Sequence, residues 1–156
     1  MRPYPFLHFN KCRLSILKGL IGMNIKLVVC AALVDRDGRV LVNSRPEGKS
    51  MAGFWEFPGG KIEQNETPES ALIRELKEEL GITTWHSCLA PLTFVSHGYN
   101  DFHLLLPLYV CRKWKGIVEP KDNQDLKWCY PDQLRKLKML PADIPLIAHL
   151  RDLLGS

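Results

Sequence analysis

The sequence predicts an α/β fold in which a mixed β-sheet is covered by helices on both faces. Three observations carry this. Ile25 to Val34 is a nearly continuous apolar run rich in valine and alanine, which reads as a central strand. Glu66 to Ile82 has the periodicity and the end signals of an amphipathic helix. Around them, strand-like runs and helix-like segments are interspersed along one domain's length of chain.

Taken in order, Asp35-Arg36-Asp37-Gly38 is a hairpin turn signal, and Arg39 to Ser44 reads as a second strand. Arg45 to Gly53 contains Pro46, Gly48, Lys49 and Ser50 and reads as an exposed loop. Phe54 to Phe57 is a short strand stub, broken by Pro58-Gly59-Gly60. In the helix that follows, Thr67 is an N-cap, Pro68 suits the first turn and Glu69 suits the positive end of the helix dipole. Gly81 is its C′ stop, and Leu72, Ile73, Leu76 and Leu80 form its apolar stripe. Leu89 to Tyr99 and Phe102 to Trp114 read as strands joined at Asn100-Asp101, with Pro107 marking the second as an edge or a bulge. Lys115 to Asp125 is a polar loop, Leu126 to Cys129 a brief strand, and Pro131 to Leu137 and Pro145 to Leu154 helices.

The formal charge of +4 hints at nucleic-acid binding, but residues 1–22 hold Arg2, Lys11, Arg13 and Lys18 and no acid, which leaves the rest near neutral. These residues are expected to form an N-terminal extension, a disordered or loosely docked arm, ahead of one domain over 23–156. A membrane- or partner-binding arm is the alternative. The segment has no uninterrupted apolar run and no small-residue cleavage site, so it reads neither as a membrane span nor as a signal peptide. Cys12, Cys30, Cys88, Cys111 and Cys129 are odd in number, widely spaced and without a C-x-x-C pair. They read as free thiols, mostly buried, in a reducing cytoplasm.

The chemistry concentrates in the helix. Glu75, Glu78 and Glu79 stand at i, i+3 and i+4, so three carboxylates share an arc beside the apolar stripe. Like charges at that spacing each cost an isolated helix about a few tenths of a kcal/mol, so something cationic is expected against the arc. Gly59 and Gly60 let the backbone approach a ligand or metal closely. Oxygen ligands from carboxylates and a backbone carbonyl suit Mg²⁺ or Mn²⁺, ions that partner phosphates and activate water. Arg74 stands beside Glu75, placed to orient it or to lower its pKa, and Lys61 and Arg45 supply cations for a polyphosphate chain. The pattern points to metal-assisted hydrolysis of a diphosphate linkage.

Gly60, five residues, Glu66, seven residues, then Arg74-Glu75-Leu76-Lys77-Glu78-Glu79-Leu80-Gly81-Ile82 resembles the Nudix hydrolase box without a departure. The likeness to the MutT-like subgroup runs from about Ile25 to Leu150 and includes Trp55-Glu56-Phe57-Pro58-Gly59-Gly60-Lys61. It implies a Nudix-type α/β/α sandwich and a cytoplasmic, Mg²⁺-dependent enzyme (Mn²⁺ serving as a substitute). Such an enzyme cleaves a nucleoside triphosphate into monophosphate and pyrophosphate by attack of metal-activated water at the β-phosphorus. The resemblance assigns Glu78, Glu79, Glu75 and the Gly59 carbonyl to the metal, and Glu75 to the general base with Arg74 positioning it. It puts a phosphate-contacting arginine at Arg45, beside which Lys61 is the second cation for the phosphates. Asp122 takes the place of a later-loop metal acid that is a glutamate in the family's type member, and its shorter side chain favours contact through water.

Base recognition falls by the same resemblance to Phe57, where the family stacks a base, and to Asp143 in Pro141-Ala142-Asp143-Ile144-Pro145. Asp143 also stands where a helix N-cap would. MutT proteins place an asparagine at this position, whose amide both donates and accepts. An ionised aspartate only accepts, which suits a guanine Watson–Crick edge or a cytosine amino group. The same run resembles a subgroup that hydrolyses CTP and modified dCTP. The Glu56-Phe57-Pro58-Gly59-Gly60 wording favours 8-oxo-dGTP, with CTP or 5-methyl-dCTP as the alternative. His97, His103 and Trp128 are further candidates for the base pocket. A non-catalytic Nudix-fold nucleotide-binding module is the competing class, and it predicts lost box glutamates, whereas all are present. The expected partner is the nucleotide alone, with no stable nucleic-acid or membrane partner and a monomer or homodimer as the assembly.

Overall fold

The computed structural model describes residues 24–155, so the expected extension over 1–22 and Cys12 lie outside the described residues. Strand β1, Ile25–Leu33, runs through the middle of the molecule. Its side chains alternate between two cores. Val29, Ala31 and Leu33 face the helix α1, Pro68–Leu80, through Ala71, Leu72, Leu76 and Leu80. Cys30, Ala32 and Val34 face the other way, onto the core that holds Leu146, Ile147 and Leu150 of α2, Ile144–Leu154. A strand buried on both faces reads as a continuous apolar run, which is why Ile25 to Val34 does not alternate in sequence. Each fully buried leucine of these cores contributes about 2 kcal/mol.

The expected mixed sheet is four-stranded. β4, Gly59–Lys61, pairs antiparallel with β1, which pairs parallel with β6, His103–Cys111, which pairs antiparallel with β5, Leu89–Gly98. The remaining strands form a separate antiparallel sheet in which β2, Val40–Ser44, lies between β3, Trp55–Glu56, and β7, Leu126–Cys129. The Asp35–Gly38 turn forms, with the Gly38 N–H donating to the Asp35 carbonyl at 3.2 Å. Its flanking strands, however, meet only at the Val34–Val40 bridge before entering different sheets.

Three expectations change. Pro58-Gly59-Gly60 does not end the strand region, because Gly59 to Lys61 form β4 against Cys30, Val29 and Val28. Pro107 lies in an interior strand, not an edge. It is tolerated because the β1–β6 ladder passes from Leu27–Leu105 to Cys30–Leu108 with its register kept and with Leu106 and Pro107 unpaired in it. The bulge falls on the neighbour, β5, between Pro91 and Thr93. The helix expected over Pro131 to Leu137 is a single 3₁₀ turn at Leu134–Lys136, pinned by the buried Leu134. Cys30, Cys111 and Cys129 are buried free thiols and Cys88 is half-buried.

The chain after that turn positions the site. The Trp55 N–H donates to the Lys138 carbonyl at 2.8 Å, and the Leu140 N–H donates to the Trp55 carbonyl at 2.9 Å. This clips residues 138–140 along β3 and delivers Asp143 beside Phe57.

Candidate active site

Helix α1 starts and stops where its caps require. Thr67 Oγ1 accepts from the Ser70 N–H at 3.2 Å, and Gly81 sits at φ 71° with its N–H on the Lys77 carbonyl. The helix's last carbonyls are covered by the loop after β6: the Glu119 N–H donates to Leu80, and the Lys121 N–H and Gln124 Nε2 donate to Glu79. With Leu72, Leu76 and Leu80 locked inward, Glu75 and Glu79 come to lie half-buried at the edge of the core, while the Glu78 side chain is 60% exposed.

Arg74 is the hub of this face. Nε and Nη2 donate to Glu66 Oε1 and Oε2 at 3.0 and 2.9 Å, a two-pronged contact. Nη1 donates to Glu75 Oε1 at 2.8 Å and to Glu78 Oε2 at 3.3 Å, and Nη2 also reaches the Lys61 carbonyl at 3.1 Å. All five guanidinium donors are engaged, so Arg74 is a positioning residue, and Glu75 Oε2 is the oxygen it leaves unbound. The same contacts hold the Glu66 carboxyl below its ordinary value.

The glycine turn is packed tightly on both sides. A Cβ on Gly59 would collide with the Val29 carbonyl and the Cys30 backbone, and a Cβ on Gly60 would collide with the Glu75 carboxylate. Two N–H groups of this turn each hold a carboxylate. The Gly59 N–H donates to Glu79 Oε2 at 3.3 Å, and the Phe57 N–H donates to Asp143 Oδ2 at 2.9 Å.

The site is short of positive charge. Burial pushes Glu79 up to about 7, the Gly59 N–H opposes this, and the charges of Glu56 and Glu75 add to it. Burial likewise pushes Asp143 up to about 7, opposed by the Phe57 N–H and reinforced by Glu56. Burial also raises Glu56, with Arg45 opposing. Among the described residues no three acidic, histidine or cysteine side chains stand close enough to form a ready-made ion cage. The donors still fit a hard divalent cation: they are all oxygen, they are partly desolvated, and they repel one another. Asn43, 3% exposed and paired across the strands with Glu56, adds a buried Oδ1 that has no donor among the described residues.

The other expected residues are placed unevenly. Arg45 Nη1 contacts Glu56 Oε2 at 2.7 Å, and Arg45 Nε donates to the Ser50 carbonyl at 2.7 Å. Lys61 is exposed on β4. The exposed Asp122 is fixed near the end of α1 by its N–H on Gln124 Oε1 at 2.7 Å. Asp143 occupies the N-cap position of α2 but makes no capping bond, because its side chain turns to Phe57. The Phe57 ring lies in the core at 3% exposure instead of offering a face for stacking. Phe57 follows directly on β3 and its ring joins the same core that Trp55 packs against, while its backbone N–H goes to Asp143. His97 packs edge-on to Tyr99 at 4.7 Å, His103 Nε2 pairs with Ser96 Oγ at 2.7 Å, and Trp128 stacks on Trp114 at 6.2 Å. No local pattern in the sequence marks Tyr99, Asn43, Gln124 or the Glu56 side chain. Tyr99 stacks on Phe102 at 4.7 Å and packs against the core that holds the Phe57 ring.

Residues 29–149 match the NUDIX domain family. A CTP pyrophosphohydrolase of Escherichia coli K12 is 36% identical over 121 residues, covering 76% of this chain and 87% of that protein. An 8-oxo-dGTP diphosphatase of Proteus vulgaris is 43% identical over 97 residues, covering 62% of this chain and 85% of that protein. A solved MutT structure, from a comparison of the Aliivibrio salmonicida and Vibrio cholerae proteins, aligns with a TM-score of 0.71 at 25% identity, covering 83% of this chain and 99% of that one. An unbroken glutamate box on α1, matched over most of the chain, therefore places the protein in the Nudix hydrolase family as a MutT-like enzyme acting on phosphoric anhydrides.

Proposed function

We propose that the enzyme hydrolyses 8-oxo-dGTP to 8-oxo-dGMP and pyrophosphate, removing an oxidised nucleotide from the cytoplasmic pool before it enters DNA. The observation that carries the reaction is the Arg74 clamp, which presents one oxygen of Glu75 beside two further glutamates of the same helix. Glu75, Glu78, Glu79 and the Gly59 carbonyl would hold Mg²⁺, or Mn²⁺ in its place, with Asp122 acting through water. When bound, the ion supplies charge neutralisation and a more acidic water. Glu75 Oε2 takes a proton from the attacking water while Arg74 holds Oε1. Water adds at the β-phosphorus, the bond to the α–β bridging oxygen breaks, and the nucleoside monophosphate leaves. Arg45 and Lys61 bind the phosphates. Asp143 accepts from the base, with Phe57 as the backbone anchor behind it.

The 8-oxoguanine reading is favoured by Glu56-Phe57-Pro58-Gly59-Gly60 and by the relative from Proteus vulgaris. One observation favours a second reading, CTP or 5-methyl-dCTP. Position 143 is a carboxyl, which when ionised suits the cytosine amino group, and a CTP pyrophosphohydrolase is among the relatives.

The test is turnover of 8-oxo-dGTP, dGTP, CTP and 5-methyl-dCTP with Mg²⁺, following monophosphate and pyrophosphate. The expected result is a strong preference for 8-oxo-dGTP and loss of turnover in Glu75→Gln. A large preference for CTP would sink the first reading, and nucleotide binding without pyrophosphate release would sink hydrolysis altogether.

A further inference from the structure

Arg45 is held from two sides before any substrate arrives. Its Nε is on the Ser50 carbonyl and one Nη1 proton is on Glu56, both at 2.7 Å. The other three N–H donors carry no partner among the described residues. The strand geometry makes this arrangement specific. Asn43 pairs directly with Glu56 between β2 and β3, and Arg45, two residues on from Asn43, lies on the same face and one step diagonal to Glu56. Beyond Arg45 the loop is tied back by the Arg45 N–H on the Phe54 carbonyl and the Gly53 N–H on the Arg45 carbonyl, at 2.8 and 2.9 Å.

A carboxylate here is otherwise unfavourable. The Glu56 side chain is only 21% exposed, and its charge falls on both Glu79 and Asp143, in a site meant for a polyanion. Simple repulsion argues against such a residue unless it supplies something the site needs. The geometry supplies it: Glu56 fixes the guanidinium plane of a long and flexible side chain whose entropy would otherwise be lost on binding.

We propose that Glu56 is a positioning residue for phosphate binding, orienting Arg45 so that its three remaining N–H donors meet the triphosphate. This rests on the proposed nucleotide hydrolysis and on Arg45 as a phosphate contact.

The experiment measures KM and kcat in Mg²⁺ for wild type, E56A, E56Q, R45A and E56A/R45A, using the triphosphate that wild type turns over best. E56A raises KM about tenfold, the effect of one charge-assisted hydrogen bond, with kcat changed by less than about threefold. E56Q keeps an acceptor oxygen at the same reach and restores most of the affinity. In the R45A background, adding E56A changes KM by less than about twofold, because the two residues act as a unit. Should E56A not fold, E56D serves in its place: it keeps the charge but withdraws it by one methylene, and so raises KM where E56Q does not. An unchanged KM in E56A, or an equal KM rise with and without Arg45, overturns the inference. A loss of melting temperature with KM intact does the same, since it marks a purely structural ion pair. Wild type inert on every triphosphate overturns the functional reading and this inference together, whereas normal turnover with independent E56A and R45A effects overturns this inference alone.

Discussion

The Phe57 N–H donates to Asp143 Oδ2 at 2.9 Å across 86 residues of chain, and two residues on the Gly59 N–H donates to Glu79 Oε2 at 3.3 Å. One short turn thus anchors a carboxyl at the entrance to α2 and another near the end of α1. In the proposed reading these are the base end and the metal end of one nucleotide, so the turn sets the distance between them.

Asp143 should leave a pH signature on stability. Its ordinary value is 3.8 and burial pushes it up to about 7 in the folded chain. An acid with a raised folded pKa binds its proton more tightly when folded. Stability is therefore lost as pH rises from about 4, and the loss is complete above about 7. Asp143→Asn removes that titration while keeping an acceptor for the Phe57 N–H. Denaturant midpoints across pH 4 to 8 should show the variant gaining on wild type as pH rises, by on the order of a few kcal/mol. Parallel curves would contradict it.

The two glycines should fail differently. A Cβ on Gly59 meets β1 backbone, which cannot yield without breaking the β1–β4 pairing, whereas a Cβ on Gly60 meets first the Glu75 carboxylate, the far end of a side chain. Gly59→Ala should cost about 3 kcal/mol or more, at the upper end of overpacking effects. Gly60→Ala should keep most of the stability but displace Glu75 and lose roughly 10²-fold in kcat. Thermal melts paired with turnover separate the two, and a well-folded, inactive Gly59→Ala would reverse the assignment.

These contrasts mark where the sequence was legible. The caps of α1, Thr67 and Gly81, are local chemistry, and the helix begins and ends on them. The two-faced burial of β1 follows from its unbroken apolar run. What local patterns could not show is pairing across the chain. Nothing near Arg45 reveals that Glu56 stands diagonal to it, and nothing near Asp143 reveals the Phe57 N–H as its partner. Phe57 shows the limit in the other direction, since a ring expected at the base lies in the core, where burial among apolar side chains outweighs its place beside the glycine turn.

Arg74 should not be replaceable by lysine. Five donors in one plane satisfy Glu66 twice, Glu75, Glu78 and the Lys61 carbonyl, and an ammonium can match neither the number nor the fork. Arg74→Lys should leave the protein folded, with kcat down by roughly 10²-fold as Glu75 loses its fixed rotamer. KM should move far less, since all five Arg74 donors are already taken by Glu66, Glu75, Glu78 and the Lys61 carbonyl. Steady-state kinetics on the preferred triphosphate decides the matter, and a variant with normal kcat would show that Glu75 needs no clamp.

Divalent cation binding should be coupled to the Glu79 proton. Burial and the neighbouring Glu56 and Glu75 charges push Glu79 up to about 7, and a cation can bind only the ionised carboxylate. Protons therefore compete with the ion below about pH 7 and cease to compete above it. Mg²⁺ should raise the melting temperature markedly at pH 8 and much less at pH 6, and chelation should reverse the gain. Glu79→Gln removes both the proton site and the ligand charge. That variant should be at least as stable as metal-free wild type at pH 8, because it no longer buries an ionised carboxylate beside two others. It should also show little Mg²⁺-dependent shift at either pH. Calorimetric titration with Mg²⁺ at the two pH values gives the affinity directly. An affinity independent of pH, or an Mg²⁺ response that survives in Glu79→Gln, would remove Glu79 from the proposed metal site and leave its raised value a consequence of burial and its acidic neighbours.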